Sequence, residues 1–213
     1  MKKKIAILGS TGSIGKSLIE IIKKDKKNFD IILLTADSNY KEILKQAKIF
    51  NVKNLIITDE KSFKELKKKD LGNINIFNNY DSFDKIFKKK IDYVMSSISG
   101  ICGLEPTIKI IKHTKKIAIA NKEAIICGWH LIKKDLKKFK TLFVPVDSEH
   151  FSVFYAMQGN IISNINKVYL TASGGPLNNV SKAKFKNVKI SEAIKHPNWK
   201  MGKKISIDSA TMM

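Results

Sequence analysis

Asp147 and Glu149 stand two residues apart at the end of the apolar run Val144-Pro145-Val146. In an extended strand, side chains two apart share a face, so both carboxylates would converge on one point. Two anions that close repel unless a cation lies between them, and an all-oxygen pair favours a hard ion, magnesium or manganese. The same residues also suit a helix start, with Asp147 as the cap and Glu149 in the first turn, where both complement the helix dipole. Both readings stay open on the residues alone. Asn121, Lys122 and Glu123 follow directly on another short apolar run, 116–120. Lys122 could hold an anionic oxygen there, while Asn121 caps the next helix and Glu123 supports its first turn. Ser173-Gly174-Gly175-Pro176 offers a second anion nest, and Ser209 could present a hydroxyl to phosphate. His196-Pro197-Asn198-Trp199 joins a histidine, a rigid proline and a large aromatic, the parts of a closing lid. A lone loop histidine is more often simply solvated, and His113 and His130 receive that reading.

The first apolar run, 5–8, leads into Gly9-Ser10-Thr11-Gly12-Ser13-Ile14-Gly15 and then a helical pattern. Its spacing is GxxGxxG rather than GxGxxG, but the setting is that of a dinucleotide-binding turn. The glycines permit a tight turn and close approach of a pyrophosphate, and the helix start adds free N–H groups and a positive dipole end. Ser10, Thr11 and Ser13 supply further donors. Asp37 follows the second strand about 20 residues on, where a carboxylate bonds a ribose 2′-hydroxyl. That placement points to NAD, because a carboxylate repels a 2′-phosphate; Lys41 nearby could offset it.

Placing these groups requires alternating strands and helices. Strands are expected at 4–8, 30–35, 54–58, 92–96, 116–120, 141–146, 167–171 and 204–208. Helices are expected at 13–23, 40–51, 60–69, 82–89, 104–113, 122–128, 131–138 and 150–158. This order predicts an α/β fold, a Rossmann-like doubly wound parallel sheet followed by the start of an α+β domain. A composition shift near Phe139 places the boundary, giving a dinucleotide-binding domain over 1–138 and a metal- and substrate-binding domain over 139–213. The chain stops within a strand-and-loop pattern at Met213, which reads as the end of a fragment.

The net charge of +21 raises nucleic acid as a partner, yet all 40 basic residues are Lys. Base readout and phosphate forks favour Arg, and these lysines recur at helical spacing among Ile and Leu, as on solvated helix faces. No nucleic-acid partner is expected, although the positive field suits phosphates. No apolar run is long enough for a membrane span or a signal segment, so a cytoplasmic chain with no membrane partner is expected. Cys102 and Cys127 lack metal-ligand spacing and read as buried structural thiols.

Six blocks resemble, in order, those of the 1-deoxy-D-xylulose 5-phosphate reductoisomerase family: Gly9 to Gly15, Ala120 to Glu123, Pro145 to His150, Ser173 to Pro176, His196 to Trp199 and Lys204 to Met213. The resemblance implies an enzyme that uses NADPH and magnesium or manganese to rearrange and reduce a phosphosugar, in non-mevalonate isoprenoid biosynthesis. By position, Ser10, Thr11, Gly12, Ser13 and Ile14 would bind cofactor phosphates, with Asn39, Asn121, Glu123 and Gly202 along the cofactor. Asp147 and Glu149 would ligate the metal. Lys122, Ser148, Glu149, Ser173, His196 and Ser209 would hold the substrate, and Lys122, Asp147, Glu149 and His196 would carry catalysis. Trp199 and Met201 would belong to a mobile flap. The family assembles as homodimers. It usually has glycine and a basic or amide residue where Asp37 and Ser38 stand, so the resemblance leaves the choice between NADPH and NADH open. It also continues past the point matching Met213 with a third metal carboxylate, so little or no turnover is expected of this chain alone. The rival readings are another NAD(P)-dependent dehydrogenase, which leaves Asp147 and Glu149 beside His196 unexplained, and a dinucleotide-binding protein without catalysis, which would ignore metal and phosphosugar.

Overall fold

The computed structural model describes residues 1–158, 164–169, 174–198 and 203–207, excluding the side chains of 148, 149, 204 and 205. The chain divides into two compact units, Met1–Tyr155 and Ala156–Met213. The expected boundary near Phe139 falls between a helix and the last strand of the first unit.

The first unit is built on seven strands: β1 (Lys3–Leu8), β2 (Phe29–Ala36), β3 (Asn54–Ile57), β4 (Asn75–Phe77), β5 (Tyr93–Ser96), β6 (Lys116–Ile119) and β7 (Leu142–Pro145). They form one sheet in the order β4-β3-β2-β1-β5-β6-β7, and every paired neighbour is parallel. The helices α1 (Ser13–Lys24), α2 (Tyr40–Phe50), α3 (Glu60–Lys67), α4 (Phe83–Ile86), α5 (Leu104–Ile111), α6 (Lys122–Lys138) and α7 (Ser148–Met157) follow in sequence. Strand order reverses direction around β1, and ligands bind at such a switch point, beyond the C-terminal strand ends.

Both faces of the sheet are buried, which explains the near-continuous apolar runs. Along β1, Ile5 and Ile7 pack with Ile19 and Ile22 of α1 and Ile43 and Ala47 of α2. Ala6 and Leu8 face the other layer, with Ile110 and Ile111 of α5 and Ile132 and Leu136 of α6. The β1–β2 register shifts after Ile5, where Ile31 pairs with Ile5 but Leu33 pairs with Ala6. The extra residue, Ile32, joins Leu33 against the second layer, so the bulge keeps Leu34 with the first.

Six expected strands appear within a residue or two. β4 was not expected: three residues beside an Asn-rich stretch carry no periodic signal, and the strand exists because Asn54, Leu55 and Ile56 supply its partners. The helix expected over 82–89 shortens to α4, because Phe87 turns extended (φ −102°, ψ 98°) and buries its ring against His113, centroids 5.3 Å apart. The two helices expected at 122–128 and 131–138 are one, α6, with a non-helical backbone at Gly128 (φ −124°, ψ 18°). Both cysteines are exposed, contrary to expectation. On α6 the buried stripe is Ala124, Gly128, Ile132 and Leu136, a four-residue repeat that leaves Cys127 outward. Cys102 lies on the exposed 3₁₀ turn Ile101–Gly103.

His113 also departs from its expected solvated state, being 8% exposed. Its ring closes the aromatic cluster of Phe83 and Phe87. Burial lowers its pKa, helped by Lys112; Asp84 pulls the other way, with Oδ1 3.2 Å from Nε2. That carboxylate is exposed and out of hydrogen-bond alignment with Nε2, so burial dominates. An imidazole with a depressed folded pKa binds its proton more readily in the unfolded chain. Stability is therefore full above the ordinary imidazole value, about 6.5, and is lost as pH falls through it toward the folded value. Denaturant melts should show that loss, and His113→Leu should flatten it; a melt midpoint that falls as steeply in the variant would assign the effect elsewhere.

In the second unit, the described residues hold a 3₁₀ segment at Lys182–Asn187 and the short helices α8 (Ile190–Ala193) and α9 (Lys203–Ser206). The strand expected at 167–171 is absent from 167–169, and its remainder lies outside the described residues. A helix stands where a strand was expected at 204–208, with residue 208 also outside them. A strand needs a neighbour to satisfy its backbone groups. No strand is present among the described residues of this unit, and a helical turn closes those bonds locally.

Candidate functional site

The turn after β1 is fixed by backbone geometry before any ligand arrives. Gly9 sits at φ 79°, a region that disfavours side chains, and its N–H donates to the Thr35 hydroxyl at 2.9 Å. The Ser10 N–H donates to the Thr35 carbonyl at 2.9 Å. On the far side, Ser97 Oγ donates to the Leu8 carbonyl at 2.7 Å. Gly15 lies against the turn itself: a Cβ there would stand 2.3 Å from the Gly9 oxygen.

Gly12 caps α1 without a side-chain bond, and no acidic residue occupies the first turn. The N–H groups of Ser13, Ile14 and Gly15 thus have no partner within the helix. Donors and dipole together favour an anion at this end. Thr11 is half-exposed and Ser13 and Ile14 are exposed, but Ser10 is fully buried. Its hydroxyl is buried and has no hydrogen-bond partner, so the Ser10 side chain is not presented to a ligand.

Around the end of β2, Asp37 is exposed and its Oδ1 accepts from Thr58 Oγ1 at 2.8 Å. Asn39 caps α2, accepting from the Glu42 N–H at 3.2 Å. Tyr80 packs nearby. Burial raises its phenol to about 12, with the Thr35 hydroxyl pulling it down and Asp37 pushing it up.

Asn121 is buried and fully engaged. Its oxygen accepts from the Ala124 N–H at 2.9 Å, capping α6, and its amide donates to the carbonyls of Ile98 and Gly100. It therefore ties the β5 loop to the start of α6. Lys122, the first residue of that helix, reaches toward Asp147, with Nζ 3.6 Å from Oδ2. Asp147 Oδ1 lies 2.8 Å from His150 Nδ1, a neighbour the spacing argument had passed over although it closes the same block. Glu123 is half-buried beside them in sequence.

The expected strand geometry at 147–149 is corrected. β7 ends at Pro145 and α7 begins at Ser148, and the Phe151 N–H donates to the Asp147 carbonyl at 2.8 Å, the first bond of a helix. Asp147 thus occupies the cap position, at the turn between β7 and α7. Among the described residues no three His, Cys, Asp or Glu side chains gather as a metal cage. Asp147 nevertheless supplies a hard oxygen donor at an exposed edge, which suits magnesium or manganese. The side chains of Ser148 and Glu149, and residues Ser173, Trp199, Met201, Gly202 and Ser209, lie outside the described residues.

In the second unit His196 is buried rather than solvated. Its Nδ1 accepts from the Asn198 N–H at 3.0 Å, which places the proton of a neutral ring on Nε2.

The turn after β1, the start of α6 after β6 and Asp147 after β7 all lie beyond the C-terminal ends of parallel strands. The sheet therefore brings a glycine turn that opens an uncapped helix and a Lys–carboxylate pair to one edge. Among the described residues no helix is long and apolar enough to cross a membrane.

The family model for 1-deoxy-D-xylulose 5-phosphate reductoisomerase matches residues 5–128, and that for its C-terminal domain matches 143–213. The 1-deoxy-D-xylulose 5-phosphate reductoisomerase of Pelagibacter ubique (strain HTCC1062) is 62% identical over 99% of this chain and 55% of its own length. That of Wolbachia pipientis subsp. Culex pipiens (strain wPip) is 43% identical over 99% and 54%. Among solved structures, the Zymomonas mobilis enzyme in complex with NADPH aligns at TM-score 0.84 and 33% identity, covering 100% of this chain and 55% of that one. A DOX-P reductoisomerase in complex with NADPH, fosmidomycin and magnesium aligns at TM-score 0.81 and 33% identity, covering 99% and 55%. The chain spans about half the length of these relatives. With both family models matched and the sheet edge arranged as described, this chain belongs to the 1-deoxy-D-xylulose 5-phosphate reductoisomerase family.

Proposed function

We propose that the chain carries the cofactor and metal half of an enzyme that converts 1-deoxy-D-xylulose 5-phosphate to 2-C-methyl-D-erythritol 4-phosphate with NADPH, in the cytoplasm and as a homodimer. The observation that carries the reading is the pairing of a helix start at Gly12 that no side chain caps with the Lys122–Asp147 pair at the same sheet edge. In this reading residues 1–138 bind the dinucleotide and 139–213 the metal and substrate.

The turn from Ser10 to Ile14 would receive the pyrophosphate on its backbone donors. Asn39, Asn121, Glu123 and Gly202 would line the cofactor's path, Asn121 by fixing the loop over 98–100. Asp147 and Glu149 would hold magnesium or manganese, which supplies Lewis-acid polarisation of the substrate's oxygens when bound. Lys122 would balance anionic oxygen on the substrate, since its ammonium already faces a carboxylate across 3.6 Å. Ser148, Ser173 and Ser209 would bond the substrate, and His196 Nε2–H would donate to it. The nicotinamide supplies hydride, and the protein's part is alignment and exclusion of water.

NADPH binding followed by fluorescence, with calorimetric titration of manganese, tests the reading on this chain. Saturable binding of both supports it. Cofactor binding without metal binding would favour the dinucleotide-binding protein instead. In a second assay, NADPH absorbance is followed with 1-deoxy-D-xylulose 5-phosphate and either metal, with NADH in parallel.

Asp37 makes a specific contribution here. Its exposed carboxylate at the end of β2 opposes a 2′-phosphate. Asp37→Ala should therefore strengthen NADPH binding by about tenfold relative to NADH, on the order of one charge pair in partial solvent. Equal changes for the two cofactors would remove Asp37 from the ribose site.

A further inference from the structure

Gln46 stands on the buried face of α2, between Ile43 and Ala47, and is 2% exposed. An apolar residue of its length would complete that face. Its amide donates instead to the Ser10 carbonyl at 3.1 Å, while its own oxygen finds no partner. A buried amide with an unpaired oxygen destabilises a fold, so packing does not explain this residue; the bond to the turn does.

In a trans peptide the C=O and the following N–H lie in one plane and point in opposite directions. With the Ser10 carbonyl held against α2, the Thr11 N–H must face away from α2. Among the described residues that N–H meets no protein acceptor. The Ser10 N–H, in the preceding peptide unit, is held by the Thr35 carbonyl, so the backbone is anchored on both sides of the Ser10 Cα. From this geometry we infer that Gln46 is a positioning residue for the cofactor turn, holding the Ser10–Thr11 peptide so that the Thr11 N–H meets the dinucleotide pyrophosphate. The inference rests on the cofactor reading above.

Two measurements on the same variants test it: NADPH dissociation constants by fluorescence and thermal unfolding midpoints. Gln46→Met and Gln46→Leu keep the volume and remove both the donor and the unpaired oxygen. NADPH affinity should fall by about three- to tenfold, the worth of one hydrogen bond, while the unfolding midpoint holds or rises. A merely structural Gln46 would move both downward together, and that result overturns the inference. An NADPH affinity unchanged in both variants also overturns it, leaving the cofactor reading intact. Failure of the unsubstituted chain to bind NADPH overturns the cofactor reading and this inference with it.

Discussion

Asp147→Asn is expected to weaken manganese binding by this chain at least about a hundredfold, more than loss of an outer-shell partner usually costs, with little change in the unfolding midpoint. Two roles are open to Asp147, helix start and metal ligand. Its main-chain carbonyl accepts from the Phe151 N–H and starts α7, which the substitution leaves alone. Its carboxylate lies beside Lys122 and His150. An amide of the same shape can keep the helix start but is a neutral and poorer donor to a hard cation. If Asp147 served only the helix, the substitution would lower the midpoint and leave metal affinity where it was, and calorimetry beside a thermal melt distinguishes the two. Lys122→Met offers a check in the opposite direction. Removing an ammonium 3.6 Å from the carboxylate should tighten metal binding, because the ion no longer competes with a resident cation.

The parallel sheet was legible because its strands are buried on both faces, so 5–8, 30–35 and 116–120 read as apolar runs too short for helices. The glycine turn was legible for a related reason, since glycine spacing after a strand reflects backbone constraints that no other residue type meets. Other features depend on contacts between distant segments. β4 exists only because β3 lies beside it, and α4 stops where Phe87 finds the His113 ring. Asp147 and Glu149 kept two readings because Val144-Pro145-Val146 gives no sign of where extended backbone ends, and tertiary packing put that end at Pro145. Gln46 did carry a signal that went unused: a polar side chain on the apolar stripe of an amphipathic helix, Ile43 and Ala47 on either side. Thr35, polar at the end of Ile31-Ile32-Leu33-Leu34, is the same kind of signal. Both hold the turn that the glycines merely permit.

Gly15→Val is expected to remove measurable NADPH binding and to destabilise the chain by about 3 kcal/mol, the upper range for overpacking a closed site. The atoms that a side chain would meet decide the outcome. A Cβ at Gly15 falls 2.3 Å from the Gly9 oxygen, 2.6 Å from Ser10 Cα and 2.7 Å from the Ser10 carbonyl carbon, all backbone, so no rotamer change relieves the contact. The turn cannot retreat, since Thr35 holds Gly9 and Ser10 and Gln46 holds the Ser10 carbonyl. Nor can α1, whose Ile19 and Ile22 are buried against the sheet. The remaining escape is to open the angle between turn and helix, which disperses the N–H groups that would meet the pyrophosphate. Gly12 supplies the internal control: a Cβ there meets only the Gly9 oxygen, at 3.4 Å, and φ is −75°. Gly12→Ala should therefore change stability by less than about 1 kcal/mol, with denaturant melts measuring both variants. Equal stability losses would mean that the turn yields as a unit, and the rigid cradle argued from Thr35 and Gln46 would fall. A large loss at Gly15 alone, with NADPH binding gone, would locate the constraint where helix and turn touch.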